Sequence, residues 1–487
     1  MIYFAAKLLD RCAAGLLLAV AATAPWLAGA QPVISQTGWW YVAGLAGSLG
    51  LAAVSCVLRR EFLRVPRLVL WSVILLLGCL VWWAGQPEPN FPTVFSAEQW
   101  AALKMLVPGG FINVPRGLRL AMASALLFGL LAAAHLGADP GFRKILLGLV
   151  GWMGLAVAAC SLCERFLGWN HPSWVIVSDG GERFNAAFFH YSAAAACVNL
   201  AWPLLVFRSG KPTNRAIYRS GYWAGIVATA GLAWVAVAFW EATSAKWVAS
   251  GLMLFGGAWF LLDRFKGVGP KVVAGTVFGG FAVALLAQMF FVHALQDRRD
   301  DGWQSVAVSK FESEVLDARL KAMVAQRGDR LIPNEFGDRE TAWLATLRMV
   351  ADQPLLGDGP GSRAKRLRLY TNNGFVNSFY LHLQFAHHDL LQTAAEWGLV
   401  PLIGWLAIWL IALRACVNDA VYSRGLLLAL LGVAVHGLVD FPLQVPALQM
   451  WTALLLGLGV APRQRGKQEP DGPRQGRGET VRLRQNR

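Results

Sequence analysis

The stretch LVLWSVILLLGCLVWWAG, residues 68–85, carries no charged side chain from end to end. About 20 mostly apolar residues in a helix cross the hydrocarbon core of a bilayer, so this segment reads as a membrane span. GLLLAVAATAPWLAGA, from Gly15, reads the same way. Working outward, such segments recur near residues 21, 47, 76, 127, 154, 197, 229, 253, 282, 403, 432 and 453. Composition agrees: the chain is 56% hydrophobic and 15% charged, with mean hydropathy +0.45. Soluble domains run at roughly 45–50% and 25%. The expectation is an all-α, polytopic membrane protein of about twelve transmembrane helices.

Forty-four Lys and Arg against 29 Asp and Glu give a net charge of +15. That balance alone would suit a nucleic-acid partner, but the positions argue otherwise. Lys7 and Arg11 precede the first span; Arg59, Arg60, Arg64 and Arg67 follow the second; Arg143 and Lys144 follow the fourth. Arg208, Lys211, Arg215 and Arg219 follow the sixth, Arg264, Lys266 and Lys271 the eighth, Arg414 and Arg424 the tenth. Basic residues in alternate loops place those loops and both termini in the cytoplasm. Membrane lipid, not nucleic acid, is the expected partner of this charge. The basic tail, 462–487, is rich in Arg, Gln, Gly and Pro and reads as disordered and cytosolic. Lys7, Arg11, the first apolar run and AGA at 28–30 imitate a signal peptide. Cleavage would leave eleven spans and an outer N-terminus; we read an uncleaved first span. The seven cysteines fall in or beside apolar runs, and the Cys160–Cys163 pair lacks the second pair of ligands a zinc site needs.

The chain divides into nine spans (1–293), an outer insertion (294–386), three further spans (387–461) and the tail. The insertion exceeds the usual connection of a few residues, which marks it as functional. Residues 303–327 carry an apolar helical stripe. DRETAWLATLRMVADQP, from Asp338, has an N-cap aspartate, a stripe of Trp343, Leu344, Leu347 and Val350, and a proline stop. In PLLGDGPGS, 354–362, three glycines call for turns with positive φ that position Arg363, Lys365, Arg366 and Arg368. The segment lacks the lysine spacing of a nucleotide-phosphate loop.

Polar residues gather at the outer lip. FAHHDLLQTAAEWG, from Phe385, sets two histidines, Asp389 and Glu396 just before an apolar run. His190 falls within the sixth span, where polar groups are costly and usually functional. His436 and Asp440, four apart on one helical face, read the same way more weakly.

AHHDLLQTAAEWGLVPL resembles the His-Asn-x-x-Leu…Glu-x-Gly signature of the O-antigen ligase and polymerase superfamily. DRETAWLATLRMVADQPLLGDGPGS is similar to that family's Arg-x-x-x-Trp…Pro-Leu-x-Gly-x-Gly-Pro-Gly segment. GERFNAAFFHYSAAAACVNLAWPLL and VHGLVDFPLQVPAL fit its remaining blocks, in the family's order, over residues 183–448. The resemblance implies a GT-C-like glycosyltransferase of the bacterial inner membrane, independent of metal and without cofactor. Its donor would be a glycan on an undecaprenyl-diphosphate carrier at the outer face. Its acceptor would be lipid A-core, another glycan or a protein hydroxyl, so ligase and polymerase both remain open. By position His387 matches the family's essential loop histidine, Arg339 the loop arginine and Arg183 the arginine before the sixth span. His387 and Arg339 are thus the candidate catalytic residues; Arg183, Lys246, His388, His190 and Glu396 are candidates for substrate binding. Two departures stand out: His388 replaces an asparagine, and TSAKW replaces Ser-Arg-Gly, leaving Lys246 as the cation nearby.

The chemistry suits these residue types. A departing diphosphate gathers negative charge that guanidinium forks stabilise, and an acceptor hydroxyl needs a base with a pKa near 7. No outer cluster of carboxylates would hold Mg²⁺ or Mn²⁺. A twelve-helix transporter is the rival reading, but no internal repeat is visible and the polar residues lie on one face instead of at the midplane. A non-catalytic envelope scaffold, tolerant of losing His387 and Arg339, is a second. The topology is testable by cysteine labelling at positions 266 and 329. These are expected to react from opposite sides of the membrane, and labelling from one side would refute the scheme.

Overall fold

The computed structural model describes residues 2–27, 31–86, 115–167, 188, 191–207, 229, 233, 245–254, 338–367, 370, 385–417 and 423–462. Among these residues every regular element is a helix. In order they are α1 (Ile2–Leu27), α2 (Gln31–Arg59), α3 (Arg67–Gly85), α4 (Arg116–Leu136), α5 (Pro140–Leu167) and α6 (Tyr191–Val206). There follow α7 (Asp338–Asp352), α8 (Arg363–Arg366), α9 (Asp389–Trp397), α10 (Leu399–Val417), α11 (Ser423–His436) and α12 (Pro446–Val460). Gly38–Arg59, Arg67–Gly85, Arg116–Leu136, Pro140–Cys163 and Leu399–Val417 are long and apolar enough to cross a membrane. The shorter apolar helices Ser192–Val206, Arg424–His436 and Pro446–Val460 stand where three further spans were expected. Residues 245–254 are helical, at the position expected for the eighth span. The expected span near 282 and the stripe at 303–327 lie outside the described residues. The chain is a multi-pass helical membrane protein.

Helix α12 sits at the centre. It is buried at every position but Gln449, as a core helix is, and Gln449 and Thr452 are its only polar side chains. It packs on α4, α10, α1 and α11. Gly457 lets its backbone approach α4, where a Cβ would overlap the Leu130 carbonyl and crowd Ala133. Small residues serve this purpose where there is no hydrophobic drive between helices in lipid. The indole of Trp451 donates to the Ala21 carbonyl at 2.8 Å, tying α12 to α1.

The bundle has two chemically different ends. At one, Arg59 pairs with Asp10 at 2.6 Å, the Arg64 amide donates to His135 Nδ1 at 3.1 Å, and Arg143 donates to the Leu458 carbonyl at 2.6 Å. At the other, Trp83 Nε1 donates to the Leu356 carbonyl at 2.9 Å, Arg116 donates to the Trp83 carbonyl, and Arg119 Nε donates to Pro360 O at 3.1 Å. The first end holds the basic loops and the second holds the lip.

Two expectations about the lip need correction. The apolar stripe on α7 is buried only in part: Leu347 is 52% exposed, Leu344 and Val350 pack at the margin of an apolar cluster, and Ala342, Ala345, Thr346 and Met349 are the residues fully buried. Small and hydroxyl side chains face inward because the buried Arg363 guanidinium sits there, donating to Thr346 Oγ1 at 2.9 Å. The helix after His387 is also not continuous with the span. Gly398, at φ +81°, breaks it into α9 and α10. Gly357, Gly359 and Gly361 do take positive φ, at 58°, 92° and 75°. The loop they shape caps α10: Leu399 N donates to Pro354 O at 2.8 Å and Val400 N to Leu355 O at 3.1 Å. These amides belong to a first helical turn that has no partner of its own.

Gly398 tests this arrangement, since a Cβ there would overlap the Leu355 carbonyl and the backbone is left-handed. Gly398→Ala is expected to lower stability by at least about 1–3 kcal/mol, the usual cost of a strained backbone position. Gly78→Ala, in mid-helix with nothing within 4 Å of its Cβ, should raise it slightly. Thermal unfolding of the detergent-solubilised protein should shift the midpoint in opposite directions for the two.

Candidate functional site

His387 is the residue the lip is built around. Ala386 before it is held on both sides: its amide donates to Gln392 Oε1 at 2.9 Å, and its carbonyl accepts from Trp343 Nε1 at 2.8 Å. With Asp389 N bonded to Gly437 O at 2.6 Å, little freedom remains between. His387 takes φ +50°, a left-handed conformation unusual for a side chain that is not glycine. Such strain collects where geometry is needed for function.

The imidazole lies edge-on to Phe441, with centroids 4.8 Å apart, and Phe441 stacks on Phe385 at 4.4 Å. His387 Nδ1 is 3.1 Å from Asp440 Oδ1. A carboxylate can only accept, so Nδ1 carries the proton and Nε2 is left as the basic nitrogen.

Asp440 is the hub of a buried cluster. It also accepts from Ser192 Oγ of α6 and from the Phe441 amide at 3.0 Å, and His436 Nε2 stands 3.7 Å away. Burial pushes the carboxyl pKa up, but the hydrogen bonds from His387 and His436 and their electrostatic pull outweigh it and hold the group well below its ordinary value of 3.8. A depressed folded pKa stabilises the protein above the unfolded value and is lost only as pH falls through the folded one. Asp440 therefore contributes throughout the neutral range. Ser192 Oγ also lies 3.5 Å from His436 Nε2, so the serine and both histidines converge on the one carboxylate.

Asp389 makes the reciprocal tie. It is 2% exposed and accepts from Leu443 N at 2.9 Å and Gln444 Nε2 at 3.1 Å. Burial raises its carboxyl pKa well above the usual range, against the pull of those two bonds. His388 is the N-cap of α9: its Nδ1 accepts from Leu391 N at 3.3 Å, its ring meets Trp343 edge-on, and burial lowers its pKa. Glu396 accepts from the Gly361 amide at 2.7 Å and Gln392 Nε2 at 3.1 Å, while its carbonyl takes the Gly359 amide at 2.7 Å. Glu396 thus holds the glycine loop to α9. Burial raises its pKa, and the bonds, with Arg363 and Arg119, pull the other way. Arg363, 1% exposed, is pushed down by burial to about 9.

The sequence-predicted residues are therefore partly assembled. His387, His388 and Glu396 share one lip. Arg339 stands on α7 one turn before Trp343, the residue that anchors Ala386, and its side chain lies outside the described residues. Arg183 and His190 also lie outside them. Lys246 is buried beside α6, where Asn199 Nδ2 donates to the neighbouring Ala245 carbonyl at 2.9 Å. Asn199 is seven residues, roughly 10 Å of helix, along from Ser192. Among the described residues no group of His, Cys, Asp and Glu converges in metal-ligating geometry. Ser192 and Gln392 were not singled out from sequence; Asp389 was noted only as a polar residue of the lip, and Asp440 only weakly. The signal available for Asp440 was a carboxylate one turn past a histidine at an apolar helix end. No known protein family and no curated protein matches the chain.

Removing a single member of a buried charged cluster costs about 3–5 kcal/mol, whereas losing one ordinary hydrogen bond costs about 1 kcal/mol. Asp440→Ala should therefore lower the unfolding midpoint several-fold more than Ser192→Ala. Equal shifts would remove Asp440 from the centre of the cluster.

Proposed function

We propose that this protein is a glycosyltransferase of the O-antigen ligase type, working at the outer lip of the bacterial inner membrane. It moves glycan from an undecaprenyl-diphosphate carrier to a hydroxyl on a lipid, glycan or protein acceptor. The observation that carries the reading is His387, held in a left-handed backbone with Nδ1 on the buried Asp440 carboxylate. That arrangement aims one basic nitrogen and stabilises the imidazolium formed when it takes a proton.

The reaction needs few parts. The acceptor hydroxyl loses its proton to His387 Nε2 as its oxygen bonds to the anomeric carbon. The bond from that carbon to the diphosphate oxygen breaks, and the carrier leaves as undecaprenyl diphosphate. Arg339 and Arg183 hold the diphosphate, where a guanidinium fork meets two phosphate oxygens at once. Lys246 adds positive charge for the same group, and His190 and His388 contact the sugars. Asp440 is a positioning residue: it fixes the tautomer of His387 without touching substrate.

The test is transfer by the purified protein from a lipid-diphosphate glycan pool, followed by gel shift and mass spectrometry. His387→Ala should lose about 10²–10⁴-fold in rate, the range of a general base. Arg339→Lys should fail nearly as badly as Arg339→Ala. Asp440→Asn should lower kcat with little change in KM. Retention of more than about a tenth of wild-type transfer by His387→Ala would rule out a base at that position.

A further inference from the structure

Behind the Phe385–Phe441 wall lies a feature that the transfer chemistry does not use. A cavity of about 130 Å³ lies between α3, α4, α10 and α12, roofed by α9 and the glycine loop. Polar side chains line it from three helices: Arg119 from α4, Gln392 and Glu396 from α9, Gln449 and Thr452 from α12. Helical spacing puts each of the two pairs on one face of its helix. Thr452 stands six residues into α12 from Pro446, roughly 9 Å along the axis and away from the lip. It is 1% exposed, and its Oγ1 has no hydrogen-bond partner among the described residues.

Charge and hydrogen-bonding capacity narrow the occupant. The lining holds one guanidinium, Arg119, and one carboxylate, Glu396, so it has no net charge with which to select an ion. A buried hydroxyl without a partner is costly, and Thr452 is not alone in having capacity left over. A primary amide has two N–H groups. One on each of Gln392, Gln444 and Gln449 is taken, by Glu396 Oε1, Asp389 Oδ1 and the Leu443 carbonyl. A carboxylate offers about four lone-pair sites, and Glu396 accepts from Gln392 at one oxygen and from the Gly361 amide at the other. Donors and acceptors thus both remain around one space, and water is the guest that is donor and acceptor at once. At roughly 30 Å³ each, about four waters fit the volume, and each needs about two to four polar partners. An apolar guest would leave these groups facing carbon.

We propose that this cavity is a water site, holding a cluster of about four ordered waters that joins Thr452 on α12 to Gln392 and Glu396 on α9. The cluster completes the hydrogen bonding of the carboxylate that accepts from the Gly361 amide, so the glycine loop is secured through water as well as directly. The inference stands apart from the glycosyl-transfer reading, since it uses neither His387 nor Arg339.

The full chain, purified in neutral detergent, is compared by thermal unfolding with Thr452→Val, Thr452→Ser, Glu396→Gln and the double variant of Thr452→Val with Glu396→Gln. Thr452→Val keeps the shape and removes the hydroxyl. With waters bound it should lower the melting midpoint by roughly 1–2 °C, the shift one hydrogen bond produces in a large chain. Thr452→Ser should recover most of that loss. In a dry cavity the same change removes an unpartnered hydroxyl, and the midpoint should rise. Waters shared between the two ends also couple them, so the double variant should lose less than the sum of the two single ones. A higher midpoint for Thr452→Val, or strictly additive losses, overturns the site. Should Glu396→Gln fail to fold, a high-resolution density map of the wild-type protein decides. Peaks within hydrogen-bond distance of Thr452 Oγ1 and Gln392 Nε2 support the cluster, and a featureless cavity overturns it.

Discussion

A carboxylate buried to 4% exposure at the end of a helical bundle must find its donors within the protein. Asp440 finds them on segments far apart in sequence: Ser192 on α6, His387 at the lip, and its own following amide. The remaining lip geometry follows from this demand. Asp389 returns the tie in the opposite direction, its carboxylate accepting from Leu443 and Gln444 while its amide donates to Gly437. Two carboxylates on two segments, each accepting from the other segment, fix both the register and the spacing. Neither segment can slide without stranding a buried charge.

This reciprocal hold explains how His387 keeps a left-handed backbone. A non-glycine residue there costs on the order of 1–3 kcal/mol, which persists only where neighbours over-determine the position. Ala386 is bonded at both its amide and its carbonyl, and Asp389 at its amide and carboxylate. The histidine between them has no room to relax. The glycine loop is held by similar means, with Glu396 accepting at both its side chain and its carbonyl. Irregular backbone beside a membrane is tolerated where its polar groups are satisfied inside the protein, and each of these contacts does that.

Much of this was legible in advance. Charge-free runs such as 68–85 announce helices that cross a bilayer, and the glycines at 357, 359 and 361 announce left-handed turns because only that residue takes them without cost. His387 stood out as a polar residue at an apolar edge. What escaped was pairing. Nothing in the local pattern near Ser192 refers to a residue 248 positions away, although their oxygens meet. The face of α7 was misjudged for a related reason. Hydrophobic periodicity assumes an apolar neighbour, but Arg363 turned a face of Ala and Thr inward instead. Gly398 ends α9, and its left-handed backbone separates that short helix from the span α10.

The central place of α12 bears on how the protein is made. Trp451 bonds to a carbonyl of α1 that left the ribosome 430 residues earlier. Until α12 is synthesised, the faces of α1, α4 and α10 that will pack on it have only lipid or one another to touch. The interior is complete only when α12 packs against its neighbours, closely at the small residues Gly457 and Gly459. A nascent chain interrupted before that point would be inserted in the membrane yet lack its interior, and Asp440 would be waiting beside an unfilled slot. Membrane quality control could tell the two states apart by that missing helix alone.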